Sequence, residues 1–372
     1  MLVTVIIFIV ILSVLVLIHE AGHFFVAKFF GIKVEEFGFG LPPRAFGIKR
    51  GETIYSINWL PIGGFVKLYG EDEAGTGAVS IKEQKVSKKD RERAFFAKPV
   101  WQRALVVLAG VVMNFVLAVA IISILFSAVG IQTGGNKVIV TQVIPNSPAQ
   151  KAGLKVGDTI EAINNTAVSS PGQLVTITRG HLGQKLTLRV LTTKDKQEIL
   201  EVTPRKNYPP DQGPMGVAIS QNIIIKKYPW YEAPFVGTSQ ALSESWLILS
   251  GLGMVVVQLF TKASVPSGVA GPVGIAELTG TFVQLGLPAL LSFVSLLSLN
   301  LAILNILPIP ALDGGRLFFI LVEGITRRKV DQRVESYAHA IGMAVLLLII
   351  ALITLHDIIR LISGQPILQI PK

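Results

Sequence analysis

Four stretches of this chain are apolar over lengths that a water-facing surface does not tolerate, and they limit its fold more than any other feature. The first runs from Leu2 to Ile18, passes through His19-Glu20-Ala21-Gly22-His23 and resumes at Phe24 to Ala27. Crossing about 30 Å of hydrocarbon takes roughly 20 helical residues, so this span carries both histidines and the glutamate inside it. The second runs from Ala104 to Gly130, the third from Pro288 to Leu307 and the fourth from Ala338 to Leu355. Charged residues make up only 16% and hydrophobic ones 51%, against about 25% charged in a soluble domain. The expected fold class is a polytopic α-helical membrane protein with four transmembrane helices, and an ordinary cytosolic globule is excluded. The first span reads as retained rather than as a cleaved leader. No Lys or Arg precedes it and no small-residue cleavage pattern follows.

The formal net charge of +10 is best explained by membrane topology. Eight basic residues lie from Lys82 to Arg103 against three acids, and Arg316, Arg327, Arg328, Lys329 and Arg333 follow the third span. The stretches just past Gly130 and from Thr261 to Leu287 offer only Lys137 and Lys262. Lys/Arg bias at span ends marks the cytoplasmic side, so no nucleic-acid partner is needed to account for the charge. The chain then divides into transmembrane helix 1 (1–30), a cytoplasmic-side region (31–103), helix 2 (104–130), an extracytoplasmic insert (131–220) and a linker (221–287). Helix 3 (288–312), a cytoplasmic loop (313–337), helix 4 (338–360) and a tail (361–372) complete it. Within the linker, Ser245 to Phe260 is apolar but short and interrupted by Gly251 and Gly253, which suits an interfacial helix better than a fifth span. Cysteine is absent, so disulfides, thiolate metal sites and cysteine catalysis are excluded.

The insert changes character. Lys137 to Ile144 and Gln184 to Thr192 alternate like strands, and Ser147-Pro148 reads as the capped start of a short helix. The run Ser147-Pro-Ala-Gln-Lys-Ala-Gly-Leu154, then Gly157-Asp-Thr-Ile160 and Ile163-Asn164, resembles a PDZ domain of the bacterial protease-associated type. That resemblance implies an α/β module that takes extended peptides or C-termini at a sheet edge. Its carboxylate loop would lie near Gly213 to Val217. Shielding of a site in the membrane is the other role open to it.

The chemistry lies in the first span. His19 and His23 are four residues apart, on one face of a helix, where two imidazoles can hold one metal ion with Glu20 beside them as a base. Ionisable groups inside a span are costly and point to function. A catalytic zinc site takes a third protein ligand, and Phe24-Phe-Val-Ala-Lys-Phe-Phe30 supplies none. His181 and His356 fall on the far side of the membrane; His339, Asp313, Glu323 and Asp331 fall on the near one. Asp313 stands out, because the third span is broken by Pro308 and Pro310 and then presents this carboxylate followed by Gly314 and Gly315. Irregular backbone at membrane depth is tolerated where protein or a water-filled cavity surrounds it.

The H-E-x-x-H of span one, the Asn305-Ile-Leu-Pro-Ile-Pro-Ala-Leu-Asp-Gly314 run after span three and the insert between spans two and three together resemble the site-2 protease family of intramembrane zinc metalloproteases. The likeness is to its bacterial regulator-of-sigma-E branch, here with room for one PDZ domain. It implies zinc held by His19, His23 and Asp313, with Glu20 as general base. It also implies Asn300, Asn305 and Pro308 as residues that hold an unwound substrate segment. The strand-like runs Phe37 to Pro43 and Thr53 to Leu68 would form a membrane-dipping β-hairpin. Its edge would pair with substrate, with Gly63 and Gly64 permitting close approach. Expected partners are the lipid bilayer of a bacterial cell membrane and single-span proteins such as anti-sigma factors or remnant signal peptides. Two readings from other classes stand beside this one: a PDZ-bearing membrane adaptor with a non-catalytic metal site, and a metal transporter.

Overall fold

A computed structural model describes residues 2–71, 91–209, 212–262, 270–328 and 330–364. Lys82, Lys85, Lys88, Lys89 and Lys329, on which part of the charge argument rests, lie outside the described residues. The chain forms two compact units: 130–228, and the remainder on either side of it.

The larger unit is helical. Among the described residues, four of its helices are long and apolar enough to cross a membrane: α1 (Leu2–Phe29), α2 (Val100–Ala128), α7 (Leu287–Ile306) and the Arg333–Ile362 stretch of α9 (Gln332–Ile362). Prolines set several starts. Pro99 precedes α2, and Pro272 and Pro288 sit in the first turns of α6 (Pro272–Gln284) and α7, where a missing amide hydrogen costs nothing. Helix α7 ends at Ile306, just ahead of Pro308, and α8 begins at Asp313 and runs to Thr326. The stretch expected to be a cytoplasmic loop is therefore largely helix.

The linker also differs from expectation. Instead of a short interfacial stretch from Ser245, helix α5 runs from Ala233 to Lys262. It packs lengthwise on α2 and α7, with Ala241 and Ile248 against Ala118, Ile122 and Leu299. Small residues permit this approach: a side chain at Gly237 would meet the Ser123 hydroxyl at 2.6 Å. The buried Asp357 of α9 accepts the amide hydrogens of Gly271 (2.9 Å) and Gly274 (2.8 Å) at the start of α6. Arg360 of α9 reaches Glu277 of α6 at 2.9 Å.

Between α1 and α2 lie β1 (Val34–Arg50) and β2 (Thr53–Leu68). They form more than a simple hairpin. Glu36 to Phe39 pair on both sides, with Ile54–Ile57 and with Gly64–Lys67, while Phe46 to Arg50 pair with Thr53–Ile57. Pro42, Pro43 and Pro61 interrupt the ladders, since proline has no amide hydrogen to give. Each strand bends at these breaks, and the segment Gly64–Leu68 is left as an outer edge lying along α1. Ile32, Val34 and Leu68 bury against Ala27 and Val106 where sheet and helices meet.

The smaller unit is a six-stranded sheet ordered β7-β6-β4-β3-β8, with β5 paired to β4, and two short helices. Its strands are β3 (Ile131–Val143), β4 (Thr159–Ile163), β5 (Thr166–Ala167), β6 (Leu186–Leu191), β7 (Gln197–Val202) and β8 (Val217–Lys226). Ser147 caps helix α3 (Pro148–Lys151) through the Gln150 amide, and Ser170 caps α4 (Pro171–Gly180) in the same way. Strand β6 buries Leu186, Leu188 and Val190 and exposes the residues between them, the period-2 pattern of a one-sided core.

Candidate metal centre

Helix α1 places His19 and His23 on the face turned toward α2, with their rings edge to face at 4.8 Å. The approach is close. A side chain at Gly22 would meet the Ala109 carbonyl oxygen at 2.3 Å, and one at Gly110 would meet His23 Nε2 at 2.5 Å. Glycine is required at both positions for the two helices to touch and leave room for the imidazoles. Asp313 arrives from the opposite end of the sequence, at the first position of α8, where a helix N-terminus favours a carboxylate.

Three donor atoms converge. His19 Nε2 lies 2.8 Å from Asp313 Oδ2, His23 Nε2 lies 3.2 Å from the same oxygen, and the two Nε2 atoms are 3.2 Å apart. Ligands at about 2.0–2.1 Å in a tetrahedron are separated by roughly 3.3 Å; two edges of this triangle are close to that value and the His19–Asp313 edge is about half an ångström shorter. Both histidines are buried and Asp313 is partly so. Among the described residues this is the one such cluster of histidine and acidic side chains.

The second nitrogens test the fit. His23 Nδ1 lies 2.8 Å from the Val106 carbonyl; it must carry the proton and donate, leaving Nε2 with a lone pair toward Asp313. His19 Nδ1 lies 3.4 Å from Asn114 Nδ2, while the buried Asn114 Oδ1 has no partner. Exchanging the amide oxygen and nitrogen turns Oδ1 toward His19 and leaves Nδ2 at the position without a partner. Oδ1 then accepts from His19 Nδ1–H and frees Nε2. A carbonyl or amide holding the far nitrogen is how metal-bound histidines are oriented. Two lone pairs and a carboxylate about 3 Å apart repel unless a cation lies between them. The residues present fit a divalent metal.

Glu20 is beside this triangle. Its Oε2 accepts the Val66 amide hydrogen at 3.0 Å, so the outer edge of the sheet fixes its carboxylate. Gly63 and Gly64 lie on the same edge, within van der Waals reach of Val16 and Leu17 on α1. The asparagines are placed differently. Asn300 and Asn305 occupy the last two turns of α7, and Asn300 donates to its own helix at the Leu296 carbonyl (3.0 Å). Pro308 lies in the break before Asp313. None of these three makes a hydrogen bond to the donor triangle among the described residues. The other acidic candidates are engaged elsewhere: Glu323 pairs with Arg103 at 2.8 Å, and Asp331 caps α9. Asn114, which sequence reasoning passed over, had a visible signal as an amide inside an otherwise apolar span.

Fold and donor set define the class: a helical membrane protein with a candidate metal centre and a carboxylate positioned beside it. Comparison with known proteins gives the family. The chain matches the model of peptidase family M50 over residues 7–349 and belongs to that family. It is 37% identical over 350 residues, covering 93% of this chain and 95% of the relative, to a Clostridium acetobutylicum protein provisionally named a zinc metalloprotease. It is 31% identical over 423 residues to zinc metalloprotease RasP of Geobacillus kaustophilus, covering 94% of this chain and 96% of that one. Regulator of sigma-W protease RasP of Bacillus subtilis is 29% identical over 425 residues, covering 96% and 99%.

Proposed function

We propose that this peptidase cleaves within the transmembrane segments of single-span membrane proteins, with zinc held by His19, His23 and Asp313 and with Glu20 as general base. The chain is a zinc metalloendopeptidase of family M50. The observation that carries the finer reading is the convergence of three donors and one base among helices long enough to span a membrane.

Zinc held by His19, His23 and Asp313 would supply a Lewis acid that acidifies a water molecule and polarises the scissile carbonyl. Glu20, steadied by the Val66 amide, takes a proton from the attacking water and delivers it to the leaving amine as the C–N bond breaks. A helical substrate has its amides already paired, so it must unwind before its carbonyl can be reached. The outer edge Gly64–Leu68 borders Glu20 and suits pairing with an extended segment, with Gly63 and Gly64 at the start of that edge permitting close approach. Asn300 and Asn305, near the end of α7 and ahead of the Pro308 break, have amides that would take up backbone groups freed by unwinding.

The Lys/Arg bias at the span ends supports a site near the cytoplasmic face and a six-stranded module outside the cell. The module's strand and cap pattern supports a single PDZ domain that binds peptide ends or screens untrimmed substrates. The name of the Bacillus subtilis relative, a regulator of sigma-W, supports anti-sigma factors as one substrate class.

The test is cleavage of a single-span model substrate in detergent by the wild type and by Glu20→Gln, with zinc content measured in both. Zinc retained in both with turnover lost at least ~100-fold in the variant is the expected result. Equal cleavage by both would remove Glu20 from the mechanism. Stoichiometric zinc with no cleavage of a panel of such substrates would favour a membrane adaptor instead.

A further inference from the structure

His339 offers no ligand atom to the donor triangle, yet its side chain is buried at 3% exposure on α9. Its Nδ1 accepts the amide hydrogen of Ala311 at 2.9 Å, two residues before Asp313. Ala311 has a φ of +82°, a backbone region that residues with a Cβ rarely occupy. Pro308 and Pro310 remove two amides from the same segment, so Leu307 to Leu312 has few internal hydrogen bonds with which to hold that conformation. One turn further along α9, Gly342 receives Pro310 so closely that a side chain there would lie 2.5 Å from the proline ring. His339 and Gly342, on one face of α9, thus form a seat for the segment that delivers Asp313.

We infer that His339 is a positioning residue: by accepting the Ala311 amide it holds the strained Pro308–Leu312 segment in the conformation that aims Asp313 Oδ2 at His19 and His23. This rests on Asp313 being a metal ligand. The geometry requires His339 in the tautomer with Nδ1 unprotonated, and the Phe319 ring, 5.8 Å away centre to centre, packs against its other side. A side chain that merely filled space at this position would not need an acceptor at the δ position. This one does, because the partly buried Ala311 amide faces it.

The substitutions follow from atom placement. Asn puts an amide oxygen where Nδ1 stands; Leu fills similar volume with no acceptor. Purified full-length wild type, His339→Leu, His339→Asn and Asp313→Asn are loaded with zinc, and its loss to a competing chelator is followed alongside the thermal midpoint of each metal-free protein. The cobalt-substituted forms are compared by their visible spectra. Zinc affinity should fall about tenfold in His339→Leu, the scale seen when a group that orients a ligand is lost. It should recover in His339→Asn, with a cobalt spectrum altered in the Leu variant and restored in the Asn variant. Wild-type affinity in a folded His339→Leu, or an equal loss in a folded His339→Asn, overturns the inference. Equal zinc retention by the wild type and Asp313→Asn overturns it together with the ligand assignment, whereas loss in Asp313→Asn alone overturns only the role of His339.

Discussion

The tightest constraint on the metal centre is a glycine on the neighbouring helix. A Cβ at Gly110 would stand 2.5 Å from His23 Nε2 and 2.7 Å from His19 Cε1. Non-bonded heavy atoms settle near 3.5–4.0 Å, so Gly110→Ala must displace the rings by about 1 Å. Metal sites tolerate errors of only about 0.2 Å in ligand distance, and both histidine rings are pushed at once. Zinc affinity should therefore fall at least ~100-fold, beyond the range set by loss of an orienting group alone. Stability is a different matter. Alanine gains roughly 1 kcal/mol over glycine in a helix interior, while overpacking costs about 1–3 kcal/mol, so the metal-free protein should lose at most about 2 kcal/mol. Gly253→Ala is the control, since nothing lies within 4 Å of a Cβ there; it should bind zinc normally. Chelator competition gives the affinity and thermal unfolding of the metal-free proteins gives the stability. Zinc binding by Gly110→Ala within threefold of wild type would refute the placement of the two imidazoles.

Two further predictions test the scaffold. Asp357→Ala strands the Gly271 and Gly274 amides, each at a cost of about 1–3 kcal/mol, and should lower the thermal midpoint of the detergent-solubilised protein, more than Asp357→Asn does; an unchanged midpoint would show that α6 does not depend on this carboxylate. Arg93 first, then Lys28, pulls Glu52 down from 4.5 to about 2. A depressed carboxylate stabilises the fold above its ordinary pKa and loses that contribution as pH falls toward the folded value. The wild type should thus lose more stability than Glu52→Gln between about pH 4.5 and 2, and parallel acid limbs would count against the Arg93–Glu52–Lys28 cluster.

Much of the site was legible in the sequence, and the reasons it was not complete are physical. The i, i+4 spacing of His19 and His23 shows directly on a helix, and Asp313 was marked by the prolines before it and the glycines after it. What no sequence pattern could reveal is the contribution of backbone groups: the Val106 carbonyl that sets the His23 tautomer and the Val66 amide that fixes Glu20. Helix α5 was read too short because Gly237 to Ser245 is rich in small and polar residues, which look like linker. In contact with α2, the small ones among them are what let the helices approach. The run Asp313-Gly-Gly looks like a turn, yet the carboxylate at a helix start and the lack of side chains behind it suit the first turn of α8. The two-strand hairpin became four paired segments because three prolines bend strands that otherwise read as continuous.

The way the site is held divides it into two parts. Helix α2 contributes the Val106 carbonyl to His23, the Asn114 amide to His19 and the gap at Gly110 into which both rings fit. Ring orientation, tautomer and spacing of the two imidazoles are therefore set by one helix, and any shift of α2 along α1 disturbs both together. Asp313 depends on a different element, α9, through the segment seated on His339 and Gly342. Glu20 depends on a third, the edge of the sheet. A movement of that edge, such as pairing with an extended peptide would impose, reaches the Glu20 carboxylate through Val66 rather than through any of the three donor side chains. On the proposed roles, the arrangement lets the carboxylate proposed as base respond to substrate while the three candidate metal donors stay fixed.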